Sequence, residues 1–410
     1  MDADIERLLW CLLPDFDIQL ARPRIRRRFR NRVHAALPEA WTRLRPSTLH
    51  AAAGGLVVTR EVTEERAIGP VVGAASEVCP PRPRVRAGVH VGAVKNWIDE
   101  VLRAHDRPEW RRSWREAANA VAFHLEQYDR LDLSRYRFVL VPRQSHPVVR
   151  AMILAAERQA VPVVFIPHSP MTSWQVDLPV SYAALRGEAE RSLVVRRMGA
   201  DPARLAVVGN PDATVLGAPM PSLRPELPGV LAVSPEPEPV LRRVIGLLRD
   251  AGLAQVTVAP HPRSDTAALR RMLPPGWRMH RGGRTTELLR QGPPWTIQMS
   301  SGVAWEAAVL GIPTADVRLD GRAPDYPFLA DESVFPALRD ADDVARFTAG
   351  AAGVSRERLR AHASSWCATD GADAAARARA FLDGVDGPRS RIADGWRPGG
   401  TLRSASVLGV

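Results

Sequence analysis

Short apolar runs alternate with amphipathic stretches twice along the chain, with a Pro- and Gly-rich segment between the two series. This rhythm limits the possible folds more than any other feature. In the first series RFVLV (137–141), VPVVFI (161–166), SYAAL (181–185) and LAVVG (205–209) read as strands, with helices at 146–159 and 187–199. In the second, GVLAVS (229–234), QVTVAP (255–260), WRMH (277–280), TIQM (296–299) and IPTADV (312–317) read as strands. Helices are expected between them at 238–251, 265–273, 284–290 and 302–310. Apolar strands that alternate with helices are covered on both faces, which is the pattern of a parallel, doubly wound sheet. The expected fold class is α/β, with two Rossmann-like doubly wound parallel-sheet domains and a cleft between them. The expected boundaries are 1–208 for the first domain, 209–228 for the linker, 229–385 for the second domain and 386–410 for a flexible tail.

A chain of 410 residues suits two domains of about 150–200 residues each. Ahead of the first series, Ile5, Leu8, Leu9 and Leu12 fall at helical spacing, and Pro14 is expected to stop that helix. GLVVT (55–59) and VRAGVHV (85–91) read as strands, and 92–104 and 109–128 as helices. Cys11, Cys79 and Cys367 are far apart and form no CxxC pair, which fits a reduced, cytoplasmic protein. The acidic start MDADIE and the short run LLWCLL (8–13) do not make a signal peptide. No apolar run approaches the about 18 residues that a membrane span needs.

The net charge of +11 is uneven: residues 1–150 carry 26 Lys and Arg against 18 Asp and Glu. The densest run, RPRIRRRFRNR (Arg22 to Arg32), holds seven arginines. It is either a solvated surface or a contact for an anionic membrane or a phosphate-bearing acceptor. The second reading places the protein at the inner face of the membrane as a peripheral partner. Nucleic acid is not an expected partner, because no zinc spacing or RNP-like aromatic motif accompanies the charge.

Two histidines stand between prolines at strand ends. VPVVFIPHSP closes on Pro167-His168-Ser169-Pro170, and VTVAPHPRSD contains Pro260-His261-Pro262-Arg263. Ligands of open parallel sheets bind past the carboxyl ends of the strands, where both histidines lie. His261 beside Arg263 suits a phosphate, since a guanidinium offers bidentate contacts to its oxygens. In MSSGVAWEAAVLGIP (299–313) a strand ends, Ser300, Ser301 and Gly302 follow, and a helix opens. Such a turn is either a phosphate site built from backbone N–H groups or an ordinary serine N-cap. Glu306, one turn into that helix, is a candidate for ribose hydroxyls or a solvated surface acid. His146, in Ser145-His146-Pro147, is a second base candidate; the preferred reading is a helix-capping turn residue.

The order strand, His-Pro-Arg, helix, strand, helix, strand, Ser-Ser-Gly, Glu, Gly-Ile-Pro, strand resembles the nucleotide-binding half of GT-B-fold glycosyltransferases. It is similar to the CDP-glycerol glycerophosphotransferase, capsule polysaccharide and polysialyltransferase-like group, with kinship to UDP-N-acetylglucosamine 2-epimerases. VVFIPHSP, GADPARLAVVGNPDA, VTVAPHPRSD, TTELLR and MSSGVAWEAAVLGIPTADV carry the resemblance. The resemblance implies transfer of a sugar or alditol phosphate from a nucleotide-activated donor to a glycan, lipid-linked or small-molecule acceptor. It implies that His261 and Arg263 meet the donor phosphate, that Ser300, Ser301 and Gly302 hold it, and that Glu306 holds the ribose. His168 falls where the family places a His-Gly near the acceptor, a position for a general base; here Ser169 follows it and Pro167 precedes it. No His/Cys cluster is present, and neither metal nor cofactor is expected. The alternatives are a 2-epimerase-like enzyme and a non-catalytic nucleotide-binding protein on the same fold.

Overall fold

The computed structural model describes residues 3–21, 47–80, 89–173, 175, 177–262, 264–299, 301–321, 323–386 and 391–392. The chain opens with α1 (Ala3–Ala21), a hairpin of β1 (Thr48–Ala52) and β2 (Gly55–Thr59), α2 (Val62–Val72) and β3 (Ser76–Glu77). Helices α3 (Val89–Ala104) and α4 (Arg111–Asp129) follow. The first alternating series is β4 (Val139–Val141), α5 (Pro147–Arg158), β5 (Val163–Phe165), β6 (Tyr182–Leu185), α6 (Glu188–Met198) and β7 (Leu205–Val207). These strands form one sheet in the order β3-β1-β2-β4-β5-β6-β7.

From β2 to β7 neighbouring strands are parallel, as the apolar runs require. The first edge departs from this: β1 is antiparallel to both β2 and β3. The cause is local. Ala53 and Gly54 take φ values of 50° and 75°, so the chain reverses in two residues with the handedness that suits twisted strands. Side chains alternate across the sheet. Val139, Val141, Val163 and Phe165 pack under α1 and α3 to α6, while Val57, Leu140 and Val164 face the opposite side.

Helix α1 does not stop at Pro14, which lies inside it. Leu8, Leu9, Cys11, Leu12, Leu13 and Phe16 are all buried, and Phe16 meets Trp114 edge-on at 4.7 Å. Burial along this face outweighs the about 3 kcal/mol that an internal proline costs. Residues 89–91, expected in a strand, open α3 instead, and 81–88 lie outside the described residues.

The second series is β8 (Gly229–Val233), α7 (Glu238–Asp250), β9 (Val256–Pro260), α8 (Thr266–Met272), β10 (Arg278–Met279), α9 (Thr285–Leu289), β11 (Thr296–Gln298), α10 (Val303–Val309) and β12 (Thr314–Val317). It continues through β13 (Ala337–Leu338), α11 (Ala341–Gly350) and α12 (Arg356–Trp366). The six strands are all parallel, in the order β10-β9-β8-β11-β12-β13. This is the 3-2-1-4-5-6 order of a doubly wound nucleotide-binding sheet.

The last helix, α13 (Gly371–Asp383), returns to the first sheet. Its Ala378 and Leu382 share a core with Val57, Ile68, Leu140 and Val164. The sequence boundary at 385 kept this helix with the second series; its small apolar residues instead cover the first sheet beside α2. The return crossing runs against the linker. Asn210 N–H donates to Thr369 O at 2.9 Å, and Gly371 N–H to Asn210 O at 3.1 Å. Gly209 (φ 96°) permits this approach, because a Cβ there would stand 2.2 Å from Thr369 O.

Part of the expected tail is docked. Ile392 is buried and its N–H donates to Val180 O at 2.7 Å. Arg391 pairs with Glu157 and lies 4.4 Å over the Trp10 ring. Residues 387–390 and 393–410, and the arginine run 22–32, lie outside the described residues. Among the described residues no helix is long and apolar enough to cross a membrane.

Candidate functional site in the cleft between the sheets

In the second sheet, connections diverge on either side of the neighbours β8 and β11. A crevice opens past the carboxyl ends of such a pair. Ser234 and the Ser301-Gly302 turn lie there, and Ser234 Oγ donates to Met299 O at 2.5 Å. The turn is shaped from beneath. Ser301 N–H donates to Gln298 Oε1 at 2.5 Å, and Gln298 Nε2 donates to Asp316 Oδ1 at 2.9 Å. Arg318 Nε donates to Asp316 Oδ2 at 3.0 Å, and its Nη1 to Glu332 at 2.8 Å. Gln298 and Asp316 are fully buried and stand opposite each other in register. The sequence reading passed over this chain. Its signal was two polar residues inside apolar strand runs, which must find partners when buried.

Ser301 also caps α10: its Oγ accepts from Val303 N–H at 3.3 Å. Glu306 is half-buried, and its Oε2 accepts a hydrogen bond from Thr286 Oγ1. Burial pushes its carboxyl upward, opposed by that hydrogen bond and by the charges of Arg186 and Arg284. His261 is half-buried just past the end of β9, where its carbonyl accepts from Ser264 N–H at 2.8 Å. Asp265 then caps α8 through Ala267 and Ala268 N–H. Arg263 and Ser300 lie outside the described residues.

The first sheet supplies the opposite wall from the ends of β2, β4, β5 and β6. His168 Nδ1–H donates to Pro142 O at 2.8 Å, while Nε2 accepts from Arg143 Nη2 at 3.3 Å. That pattern holds a neutral imidazole. Burial, and then the Arg143 charge, pushes its pKa down to about 4. Arg143 pairs with Glu64 at 3.0 Å and Glu61 at 3.4 Å. Glu64 is fully buried and accepts from Arg60 N–H at 2.8 Å; burial raises its pKa.

His146 caps α5, its Nδ1 accepting from Val148 N–H at 3.2 Å, and its ring contacts Arg60. The capping role preferred from sequence is therefore the one realised. Asp177 is committed to a buried ion pair with Arg150 at 2.9 Å.

The two walls meet. A Cβ on Gly302 would lie 3.9 Å from Pro170 Cδ, so the loop that carries His168 faces the Ser301-Gly302 turn. Ser173 Oγ and N–H both donate to Asp325 O, at 2.8 and 2.7 Å. Asp212 in the linker pairs with Arg66 of α2 at 3.1 Å and with Arg284 at 2.8 Å. Arg186, directly after β6, reaches across with its guanidinium carbon 5.1 Å from the Trp305 ring centre. The sequence reading also passed over Arg186, whose only local signal was a charge at a strand end.

The sequence matches no family model and no curated protein. Solved structures are similar to it. The UDP-GlcNAc 2-epimerase of Methanocaldococcus jannaschii, in complex with UDP-GlcNAc and UDP, is 14% identical and has a TM-score of 0.46, with 65% of this chain and 81% of that chain covered. The UDP-GlcNAc 2-epimerase of Neisseria meningitidis, bound to UDP-GlcNAc, is 13% identical and also has a TM-score of 0.46, with coverages of 70% and 88%. CalG4, the calicheamicin glycosyltransferase, is 16% identical with a TM-score of 0.45, covering 74% of this chain and 82% of that one.

Proposed function

We propose that the chain is a GT-B-type transferase. It moves a sugar, or an alditol phosphate, from a nucleotide-activated donor to a hydroxyl of a cell-envelope or natural-product acceptor. One observation carries this reading: the strand ends of two doubly wound sheets face each other across one crevice, with Pro170 against Gly302 and Arg186 over Trp305.

The donor sits past β8 and β11. Glu306 accepts from ribose hydroxyls, and His261 with the Ser301-Gly302 turn meets the phosphate. The acceptor enters against the first wall and displaces the Arg143 hydrogen bond at His168 Nε2, which then takes its proton. With a sugar donor, the acceptor oxygen bonds to the anomeric carbon and the nucleotide departs with the broken bond's electron pair. The free imidazole is neutral and weakly basic, with its pKa near 4. A phosphate in the cleft offsets the neighbouring arginines and raises that basicity when a proton must be taken. Metal has no role in this reading; fixed donors neutralise the leaving phosphate.

Thermal shift with UDP, CDP, CMP and GDP tests the reading. One nucleotide should raise the melting temperature by mass action. No shift with any of them at millimolar concentration overturns it.

The carboxylates of Glu61 and Glu64, linked to His168 through Arg143, favour a second reading. They put carboxylates in the first domain beside His168, and a 2-epimerase needs carboxylates for proton abstraction. Conversion of UDP-N-acetylglucosamine without an acceptor would select it.

A further inference from the structure

We infer that Arg186 is the phosphate-binding arginine of the cleft, reaching from the first sheet to the oxygens of a donor phosphate seated on the second. The inference rests on the donor-binding reading above and adds a residue that the motifs do not contain. Arg186 follows β6 directly, and its backbone is held on both sides. Its N–H donates to Glu190 Oε2 at 2.8 Å, and its carbonyl accepts from Ala368 N–H at 2.9 Å. Gly187 lets that crossing approach, since a Cβ there would stand 2.3 Å from the Trp366 carbonyl carbon. From there the side chain reaches Trp305 of the second sheet.

Arg186 is buried, at 5% exposure for the residue; its Nε is buried without a hydrogen-bond partner, and no described residue accepts a hydrogen bond from the side chain. Burying such a charge without acceptors is costly, and a bound anion removes that cost. The nearby carboxylates are engaged elsewhere. Glu190 Oε1 accepts from Met171 N–H at 2.7 Å, its other oxygen takes the Arg186 N–H, and Glu306 Oε2 is taken by Thr286. The guanidinium carbon lies 5.1 Å from the Trp305 ring centre, within cation–π range. Two parallel N–H groups match two oxygens of a phosphate. Arg186 meets Glu190 of the first sheet through its N–H and Trp305 of the second through its side chain, so the cation stands between the two halves of the candidate site. A donor phosphate held there joins the two sheets, and Arg186 opposes the charge that grows on the leaving phosphate.

Calorimetric titration of wild type, R186Q and R186K tests this, with inorganic pyrophosphate, UDP, CDP and GDP, and the free nucleosides as probes. R186Q should weaken pyrophosphate and the nucleotide that binds by about 10- to 100-fold, as expected for lost hydrogen bonds to a charged group, and leave the nucleoside unchanged. R186K should fall between. If R186Q also lowers the melting temperature, the titrations are run well below it. A variant that melts early and still binds pyrophosphate like wild type gives Arg186 a structural role and overturns the inference. Equal nucleotide affinity in wild type and R186Q overturns it and leaves the donor reading standing. Pyrophosphate binding that depends on Arg186, with no nucleotide bound, does the reverse. Wild type that binds neither overturns both.

Discussion

The two walls of the cleft are built from different materials. Around its turn the second sheet presents mainly neutral polar groups, Ser234, Ser301 and behind them Gln298, which anchors the turn to Asp316; Glu306 and His261 stand beside them. The first sheet presents charges and a histidine: Arg60, Glu64, Arg186 and Glu190 are buried, and Arg143 and His168 half-buried. Neutral donors on a rigid parallel sheet hold a ligand with little dependence on pH. Buried charges shift one another's proton affinity, which suits chemistry. Under the proposed function, binding falls to the second sheet and catalysis to the first, with Arg186 between them.

The hardest test of that division is His168→Ala. Turnover should fall by about 10²–10⁴-fold if His168 takes the acceptor proton, with nucleotide affinity kept in titration calorimetry. Full turnover would remove the catalytic wall from the comparison. Next in size is Arg150→Ala, which strands Asp177 beneath the same wall. Both residues are buried and bonded at 2.9 Å, so the loss should be about 3–5 kcal/mol in chemical denaturation. A change under about 1 kcal/mol, the range of surface pairs, would show that this wall is far wetter than its burial implies.

Acid should also act on the first sheet. Burial holds both His124 and His168 down at about 4. The unfolded chain takes up protons near pH 6.5 that the folded chain refuses, so stability is full above that pH and is lost as pH falls toward 4. The slope should approach about 1.4 kcal/mol per pH unit for His124, and less for the partly exposed His168. Melting curves from pH 4 to 7 should flatten in His124→Gln; an unchanged slope removes His124 from the account. On the neutral wall, Gln298→Leu leaves Ser301 N–H and Asp316 without their partner. It should cost about 1–3 kcal/mol and weaken nucleotide binding while sparing the pH profile. The smallest effect is expected from glutamines at the seven arginines of 22–32. Stability and nucleotide affinity should stay at wild-type values, while co-sedimentation with anionic vesicles weakens if that run meets a membrane.

The second sheet was legible because each of its elements is local. Its five strands from β8 to β12 were readable, and His261, Ser301 and Glu306 fall at strand ends or one turn beyond. The first sheet was legible at GLVVT, which is β2, and from β4 onward, but not at β1 or β3. The strand TLHAA before the Ala53-Gly54 turn carries a weak apolar signal, and pairing with β2 makes it a strand. Pro14 is a helix breaker by propensity, overruled by the burial of its neighbours. Alanines in α13 show an apolar face without saying which sheet it covers.

By itself the sequence determined the alternation, hence two doubly wound sheets, and the residues that end their strands. These follow from side-chain periodicity and from proline and glycine, which act over a few residues. Tertiary structure alone decided that α13 crosses back, that Pro170 faces Gly302, and that Arg186 lies over Trp305 with no acceptor for its side chain among the described residues. It also decided that His168 is neutral and held by Arg143. Such facts depend on charges and surfaces brought together from distant parts of the chain, and on the water that folding removes from between them. Neither quantity is carried by any local stretch of residues.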